Sequence, residues 1–170
     1  VVDGPAPIEV SLAMWQTYFP KARIFAADID PKTQFNNDRV TMLIADQANR
    51  AQLAAAIETA GGDIDILIDD GGHTMEQQQV SLGYLFPSVR AGGYYVIEDV
   101  HTSLPALWKG YGVARDGRNS TLRMLENYLR SPSGAVQSVY MRREEAAYLS
   151  AHIESVMGRD AVQQVVGMAA

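Results

Sequence analysis

The chain has 170 residues, no cysteine and a formal net charge of −6. Its length predicts one domain over residues 1–170, and the missing cysteine excludes disulfides, thiolate zinc sites and a cysteine nucleophile. The acidic balance, without any lysine- or arginine-rich run, argues against DNA or RNA as a partner and is compatible with a divalent metal or a small molecule.

No apolar run approaches the length of about 20 residues that spans a bilayer. The N-terminal residues also lack a basic region followed by an apolar stretch, as a signal peptide would have. Together with the absence of cysteine, this predicts a cytoplasmic protein with no membrane partner. The sequence leaves open whether the chain forms a homo-oligomer.

Hydrophobic periodicity and turn residues divide the chain into alternating strands and helices. The predicted order is helix 8–19, strand 22–27, strand 40–45, helix 48–60, strand 65–68, helix 74–89, strand 94–97, helix 121–130 and helix 143–157. Pro20 and the glycine pairs at 61–62 and 92–93 are predicted helix ends. Residues 134–140 are a candidate for one more short strand.

The predicted strands are almost uniformly apolar, which is typical of a parallel sheet covered by helices on both faces. We therefore predict an α/β, Rossmann-like, doubly wound sheet that is mostly parallel and is incomplete at both ends of the strand order. Ligands of such sheets bind beyond the carboxyl ends of the strands.

Carboxylates follow all four predicted strands, and all of them belong to that carboxyl edge. They are Asp28, Asp46, Asp69–Asp70 and Glu98–Asp99. A single acid in such a position commonly caps a helix or forms a turn. Four strand ends with the same property indicate a binding site.

Two of these ends suit an adenosine-type cofactor. An acid after the second strand of a Rossmann-like unit accepts hydrogen bonds from ribose hydroxyls, and Asp28 is placed for this, with Asp30 as the alternative. Asp46 is placed to accept from the adenine amino group, and Gln47 to add a second polar contact. Asp69 is a fifth candidate cofactor contact.

The other two ends suit a metal. Asp70, Glu98 and Asp99 converge if their strands are neighbours, and hard oxygen ligands favour Mg²⁺, Ca²⁺ or Mn²⁺ over zinc. A cation would also relieve the repulsion between clustered carboxylates. The alternative is that one acid of each pair caps the next segment while the other is solvated.

His73 is a candidate general base, because a neutral imidazole beside a metal could take a proton from a hydroxyl. His101 is the competing candidate, and His73 could instead cap the following helix. Trp108 and Tyr111, in the loop after the candidate metal site, either line an acceptor pocket, form a lid or simply pack.

The stretch DILIDDGGHTMEQQQVSLGYLFPSVRAGGYYVIEDVHTS resembles the metal-dependent sugar O-methyltransferases of macrolide antibiotic biosynthesis. Those enzymes carry a D-D-G-x-H element, then L-F-P, then G-G-x-Y-x-I-E-D. The segment SLAMWQTYFPKARIFAADIDP, followed by ADQA, is similar to the early region of the same family. The resemblance covers about residues 11–103.

The resemblance implies a class I methyltransferase fold that uses S-adenosylmethionine and Mg²⁺ and transfers a methyl group in line to a hydroxyl, on a sugar of a small natural product. It assigns metal binding to Asp70, Glu98 and Asp99, and the general base to His73. It also implies that Asp28 holds the ribose and that Asp46 lies near the adenine.

One part of the family pattern is absent. The glycine-rich turn of the type E-x-G-x-x-x-G-G-S has no counterpart before the first helix, where the chain reads DGPAPIEVSLAMW. A non-catalytic binding module is therefore one alternative, although a scaffold has no need of the carboxylate–histidine set. An NAD-binding oxidoreductase would not explain the three clustered acids, and a metal-dependent hydrolase would give Asp28 and Asp46 no role.

Overall fold

The computed structural model describes residues 7–31, 35–131 and 134–152. In chain order its elements are α1 (Pro7–Tyr18), β1 (Ile24–Asp28), β2 (Val40–Ile44), α2 (Arg50–Ala60), β3 (Ile64–Asp69), α3 (Met75–Leu85), a 3₁₀ turn (Phe86–Ser88), β4 (Val89–Ile97), a second 3₁₀ turn (Val100–Ser103), α4 (Thr121–Arg130) and α5 (143–152). Within these ranges, no helix is long and apolar enough to cross a bilayer.

All strand pairing is parallel, as the sequence predicts. β1 pairs with β2, and β3 pairs with β4. The two pairs form separate two-stranded sheets, because no described strand connects them. The Rossmann-like α/β class is confirmed, in a partial form that has two parallel pairs where a doubly wound fold has one continuous sheet.

The start of β4 differs from the sequence prediction. α3 ends at Leu85, since Pro87 lies in the 3₁₀ turn and lacks the N–H that a longer helix would need. β4 then runs through the glycine pair that we expected to end the helix. Gly92 has φ +78°, and the pairing register shifts nearby, which marks an irregularity that glycine accommodates.

A second correction concerns residues 134–140, which form no strand. Val136 in this segment is buried instead in the main hydrophobic cluster. That cluster joins α3, α4 and α5, and its buried members are Leu82, Phe86, Met124, Tyr128, Val136, Met141 and Leu149. A smaller cluster of Leu12, Val40 and Met42 packs α1 onto the first strand pair.

Capping residues fix where α2 and α3 begin. Asn49 accepts hydrogen bonds from two amides of the first turn of α2, and Gly61 ends this helix in the left-handed conformation, as predicted. Thr74 begins α3 with a capping box whose other member is Gln77. His73 therefore precedes the cap residue and does not cap the helix itself. Most of α3 is buried, and its Gln78 and Ser81 side chains donate hydrogen bonds to Glu98 and Asp69 near the ends of β4 and β3.

Candidate metal and cofactor site

The ends of β3 and β4 leave the sheet side by side. Asp69 is paired with Ile97, and the Glu98 amide donates to the Asp69 carbonyl at 2.9 Å. Asp70 and the Glu98–Asp99 pair follow directly, so the predicted convergence of these two strand ends is observed.

Asp70, His73 and Asp99 form the tightest part of the site. One ligand atom from each lies within 4.8 Å of the others. His73 Nε2 is 3.3 Å from Asp99 Oδ2 and 3.9 Å from Asp70 Oδ1. Glu98, the third predicted ligand, does not belong to this three-residue group. The structure therefore brings two of the predicted ligands together with the predicted base.

An unusual backbone conformation determines where the side chains of His73 and Asp99 lie. His73 has φ +57° and Asp99 has φ +53°, in the left-handed region that residues other than glycine seldom adopt. The buried hydroxyl of Thr102 lies 3.1 Å from the His73 carbonyl oxygen and 3.0 Å from that of Asp99. The Gln78 amide, also buried, donates to the Glu98 carbonyl at 3.2 Å. These contacts hold both turns in place.

The charges of the site fit a divalent cation. Burial raises the pKa of Glu98, the negative charges of Asp70 and Asp99 raise it further, and His73 opposes them. A cation would relieve this repulsion. Carboxylate oxygens are the ligands that Mg²⁺ and Mn²⁺ prefer in proteins. Separately, His73 Nδ1 is buried and has no hydrogen-bond partner among the described residues.

The ends of β1 and β2 carry the residues predicted to bind adenosine. Asp28 Oδ1 accepts from the Asp30 amide at 2.8 Å, and Asp46 Oδ1 accepts from the Ala48 amide at 2.8 Å. Each carboxylate thus forms a turn with one oxygen. Among the described residues, no hydrogen bond is formed by the second carboxylate oxygen of Asp28 or of Asp46. Asp30 is exposed.

The side chains of Gln47 and Asp69 are hydrogen-bonded to each other. Gln47 Nε2 donates to Asp69 Oδ1 at 2.8 Å, while Ser81 and Tyr95 donate to Asp69 Oδ2. Burial raises the pKa of Asp69, and the hydrogen bonds from Ser81, Gln47 and Tyr95 oppose this effect. Gln47 Oε1 accepts from the Gly72 amide at 2.6 Å. Direct cofactor contact by Gln47 and Asp69 stays a prediction.

His101 and the following loop have clear partners. His101 Nδ1 is 3.4 Å from Asp99 Oδ1, on an exposed side chain. Trp108 donates to the Ser103 carbonyl at 2.7 Å, and its ring lies against Gly117, where a Cβ atom would overlap it. The Tyr111 carbonyl accepts from the Met75 amide at 3.1 Å. These contacts favour the packing interpretation of the loop.

Sequence reasoning missed Thr102 and Gln78, which support the two turns. Gln78 belongs to a run of three glutamines to which the sequence analysis gave no role. The structure buries two of the three. Met75 precedes the buried pair by three and four residues, which is the spacing of one helix face.

Comparison with known proteins finds O-methyltransferases that are similar to this chain. The chain is 40% identical over 119 residues to an 8-demethyl-8-(2-methoxy-alpha-L-rhamnosyl)-tetracenomycin-C 3'-O-methyltransferase of Streptomyces olivaceus, matching 70% of this chain and 30% of that enzyme. It is 30% identical over 176 residues to the L-olivosyl-oleandolide 3-O-methyltransferase of Streptomyces antibioticus, matching 98% of this chain and 45% of that enzyme. No protein-family model matches.

A solved structure agrees with these relatives. The MycE methyltransferase of the mycinamycin biosynthetic pathway, in complex with Mg and SAH, superposes with a TM-score of 0.63 at 32% identity, covering 76% of this chain and 33% of MycE. The chain thus spans less than half the length of the relatives it matches. By sequence and by fold, the chain resembles the metal-dependent sugar O-methyltransferases of macrolide biosynthesis.

Proposed function

We propose that this chain is the cofactor- and metal-binding part of an O-methyltransferase that uses S-adenosylmethionine and a divalent cation to methylate a sugar hydroxyl of a small natural product. The observation that carries the proposal is the convergence of Asp70, His73 and Asp99 beyond the carboxyl ends of β3 and β4. The sugar acceptor is supported by the relatives, whose names describe methylation of glycosylated tetracenomycins and macrolides.

The four residues of the site have different roles in this proposal. Asp70 and Asp99 would hold a divalent cation, with Glu98 as a further ligand. When bound, the cation would lower the pKa of an acceptor hydroxyl, and S-adenosylmethionine would supply the methyl group. His73 accepts the acceptor proton at Nε2, where the carboxylates of Asp99 and Asp70 attract the resulting positive charge.

The first strand pair binds the nucleoside in this proposal. Asp28 accepts from the ribose hydroxyls through the oxygen that its turn leaves unused, with Asp30 beside it. Asp46, at the end of the neighbouring strand, lies near the adenine. Holding the methyl donor and the hydroxyl in fixed geometry would supply much of the rate enhancement.

Calorimetric titration of the 170-residue chain with S-adenosylmethionine, with and without Mg²⁺, tests the proposal. NAD serves as the control ligand. We expect binding of S-adenosylmethionine and not of NAD. Binding of NAD alone would favour an oxidoreductase. Binding of neither ligand to a folded chain would contradict the proposal and favour a non-catalytic binding module.

A further inference from the structure

Gln47 connects the loop after β2 with the turn that carries the candidate metal ligands. We propose that Gln47 and Asp69 are positioning residues for the metal site, which together hold the turn at residues 70–73 so that Asp70 and His73 face Asp99. This inference rests on the proposed function, because it concerns the same site. In this proposal neither residue binds the metal; both hold the residues that do.

The geometry of the Gln47 amide fixes its orientation. Its nitrogen donates to Asp69 Oδ1 at 2.8 Å, and its oxygen accepts from the Gly72 amide at 2.6 Å. Rotating the amide by half a turn would place its oxygen against the Asp69 carboxylate and its NH₂ group against the Gly72 N–H, and both contacts would be repulsive. Gln47 therefore has one favourable orientation, in which it binds the turn.

Asp69 provides a rigid anchor for this contact. Asp69 is only 7% exposed, and Ser81 on α3 and Tyr95 on β4 both donate hydrogen bonds to its Oδ2. Because burial weakens screening by water, such charge-assisted hydrogen bonds are stronger than those at the surface. The position of the Gln47 amide is therefore set by the sheet and by α3.

Two glutamine side chains lie directly against the backbone of the turn. A Cβ atom on Gly71 would overlap the Gln47 amide, and one on Gly72 would overlap the Gln77 amide. Gly71 and Gly72 lie between Asp70 and His73 in the chain, so the placement of both site residues depends on these two amides. Asp46 precedes Gln47, which ties the turn also to the loop proposed to lie near the adenine.

Reversal of the donor and acceptor tests the inference. In Gln47→Glu one carboxylate oxygen can still accept from Gly72, but the other faces Asp69. In the double variant Gln47→Glu/Asp69→Asn, the new amide at position 69 can donate to the new carboxylate at position 47, which restores the contact in the opposite direction. Gln137→Glu, at an exposed position, is the matched control for the added charge.

Affinity for Mn²⁺ alone, titrated by electron paramagnetic resonance, is the readout, with thermal unfolding of the metal-free proteins as the check on folding. We expect Gln47→Glu to weaken Mn²⁺ binding about 10-fold, as is usual for groups that orient metal ligands. The double variant should recover to within about threefold, and Gln137→Glu should bind like the unaltered chain. An added negative charge alone would strengthen cation binding, so the expected sign is specific to positioning.

Gly71→Ala gives a second test that changes no charge. Its methyl group displaces the Gln47 amide, and we expect a similar loss of Mn²⁺ affinity. Unchanged affinity in Gln47→Glu, or no recovery in a folded double variant, would overturn the positioning role while leaving the metal site intact. If the unaltered chain binds no Mn²⁺, the metal site is wrong, and the positioning role falls with it.

Discussion

His73 and Asp99 face each other across the site, with Nε2 and Oδ2 separated by 3.3 Å, and both have a left-handed backbone. Such a conformation costs a residue other than glycine roughly 1–3 kcal/mol and persists only where the surroundings enforce it. The Thr102 hydroxyl, which contacts both carbonyl oxygens, is one such constraint. Asparagine tolerates this conformation, so it is the proper replacement in tests of either residue.

Asp70→Asn and Asp99→Asn should each weaken Mn²⁺ binding by at least about 10-fold, because each removes a charged oxygen ligand. Without metal, thermal stability should stay the same or rise, since the loss of one negative charge relieves repulsion on Glu98. Metal titration and thermal unfolding check both expectations. Asp63→Asn is the matched control, because Asp63 is exposed, has φ +49° and lies outside the site. A variant that keeps full affinity would remove its residue from the metal site.

His73→Asn should reduce methyl transfer between about 100- and 10,000-fold, the usual contribution of a general base. Its Mn²⁺ affinity should stay within about threefold of the unaltered chain, as expected for a base that does not bind the metal. The measurement is transfer of a labelled methyl group from S-adenosylmethionine to a deoxysugar glycoside, paired with the metal titration.

His101→Asn is the control for His73→Asn in both measurements, because His101 lies beside Oδ1 of Asp99 whereas His73 lies beside Oδ2. We expect it to retain most of the activity. If His101→Asn were the inactive variant, His101 would be the base. If His73→Asn lost metal affinity and activity to the same degree, His73 would be a ligand.

The strand ends were predictable because parallel pairing leaves little freedom. Once Asp69 lies beside Ile97, the next residues of both strands must emerge together, so the approach of Asp70 to Asp99 follows from the order of residues alone. The same logic applies to Asp28 and Asp46 at the ends of β1 and β2. Apolar runs followed by acids were therefore sufficient to predict which strand ends lie side by side.

Contacts between loops were not predictable in this way. The bond from Gln47 to Asp69 depends on how two turns approach in space, and no periodicity records that distance. The burial of Gln78 was hidden because an amide with internal partners has the same sequence signature as a solvated one. The glycine pair before Tyr94 was misinterpreted because glycine ends helices and also permits an irregular strand.

Asp28→Asn should weaken S-adenosylmethionine binding by about 10- to 100-fold, because hydrogen bonds to a charged acceptor contribute about 1.5–3 kcal/mol. Asparagine can still accept from the Asp30 amide, so the turn and the fold should remain. Asp116→Asn is the matched control, since Asp116 forms the same kind of turn with the Arg118 amide at 3.2 Å. Calorimetry with S-adenosylmethionine gives the answer, and equal affinity in the two variants would exclude Asp28 from the cofactor site.

The ion pair between Arg50 and Glu145 joins α2 to α5 and should control stability in acid. The Glu145 side chain is 9% exposed, and Arg50 Nε lies 2.6 Å from its Oε1. Burial alone would raise the pKa of Glu145, but hydrogen bonds from Arg50 and the Arg142 amide outweigh it and hold the pKa below its usual value. The hydrogen bond to Glu145 in turn raises the pKa of Arg50.

The sign of the pH dependence follows from the lowered pKa. Glu145 contributes stability above the pKa of an unfolded glutamate, about 4.3, and this contribution is lost as the pH falls through the lower pKa of the folded state. Arg50→Met should cost about 3 kcal/mol at neutral pH, because the Glu145 carboxylate then stays buried without its partner. It should also lose less stability than the unaltered chain between neutral pH and about pH 3.

Urea unfolding at both pH values measures these differences, and two variants serve as controls. Arg118→Met breaks an exposed pair, with side chains 78% and 61% exposed, and should cost under about 1 kcal/mol. Arg50→Met/Glu145→Met removes both charges and should be more stable than Arg50→Met alone, because no unpaired carboxylate remains. If Arg50→Met had the stability and the acid dependence of the unaltered chain, the ion pair would contribute nothing to stability, and the position of α5 would depend on the hydrophobic cluster that contains Leu149.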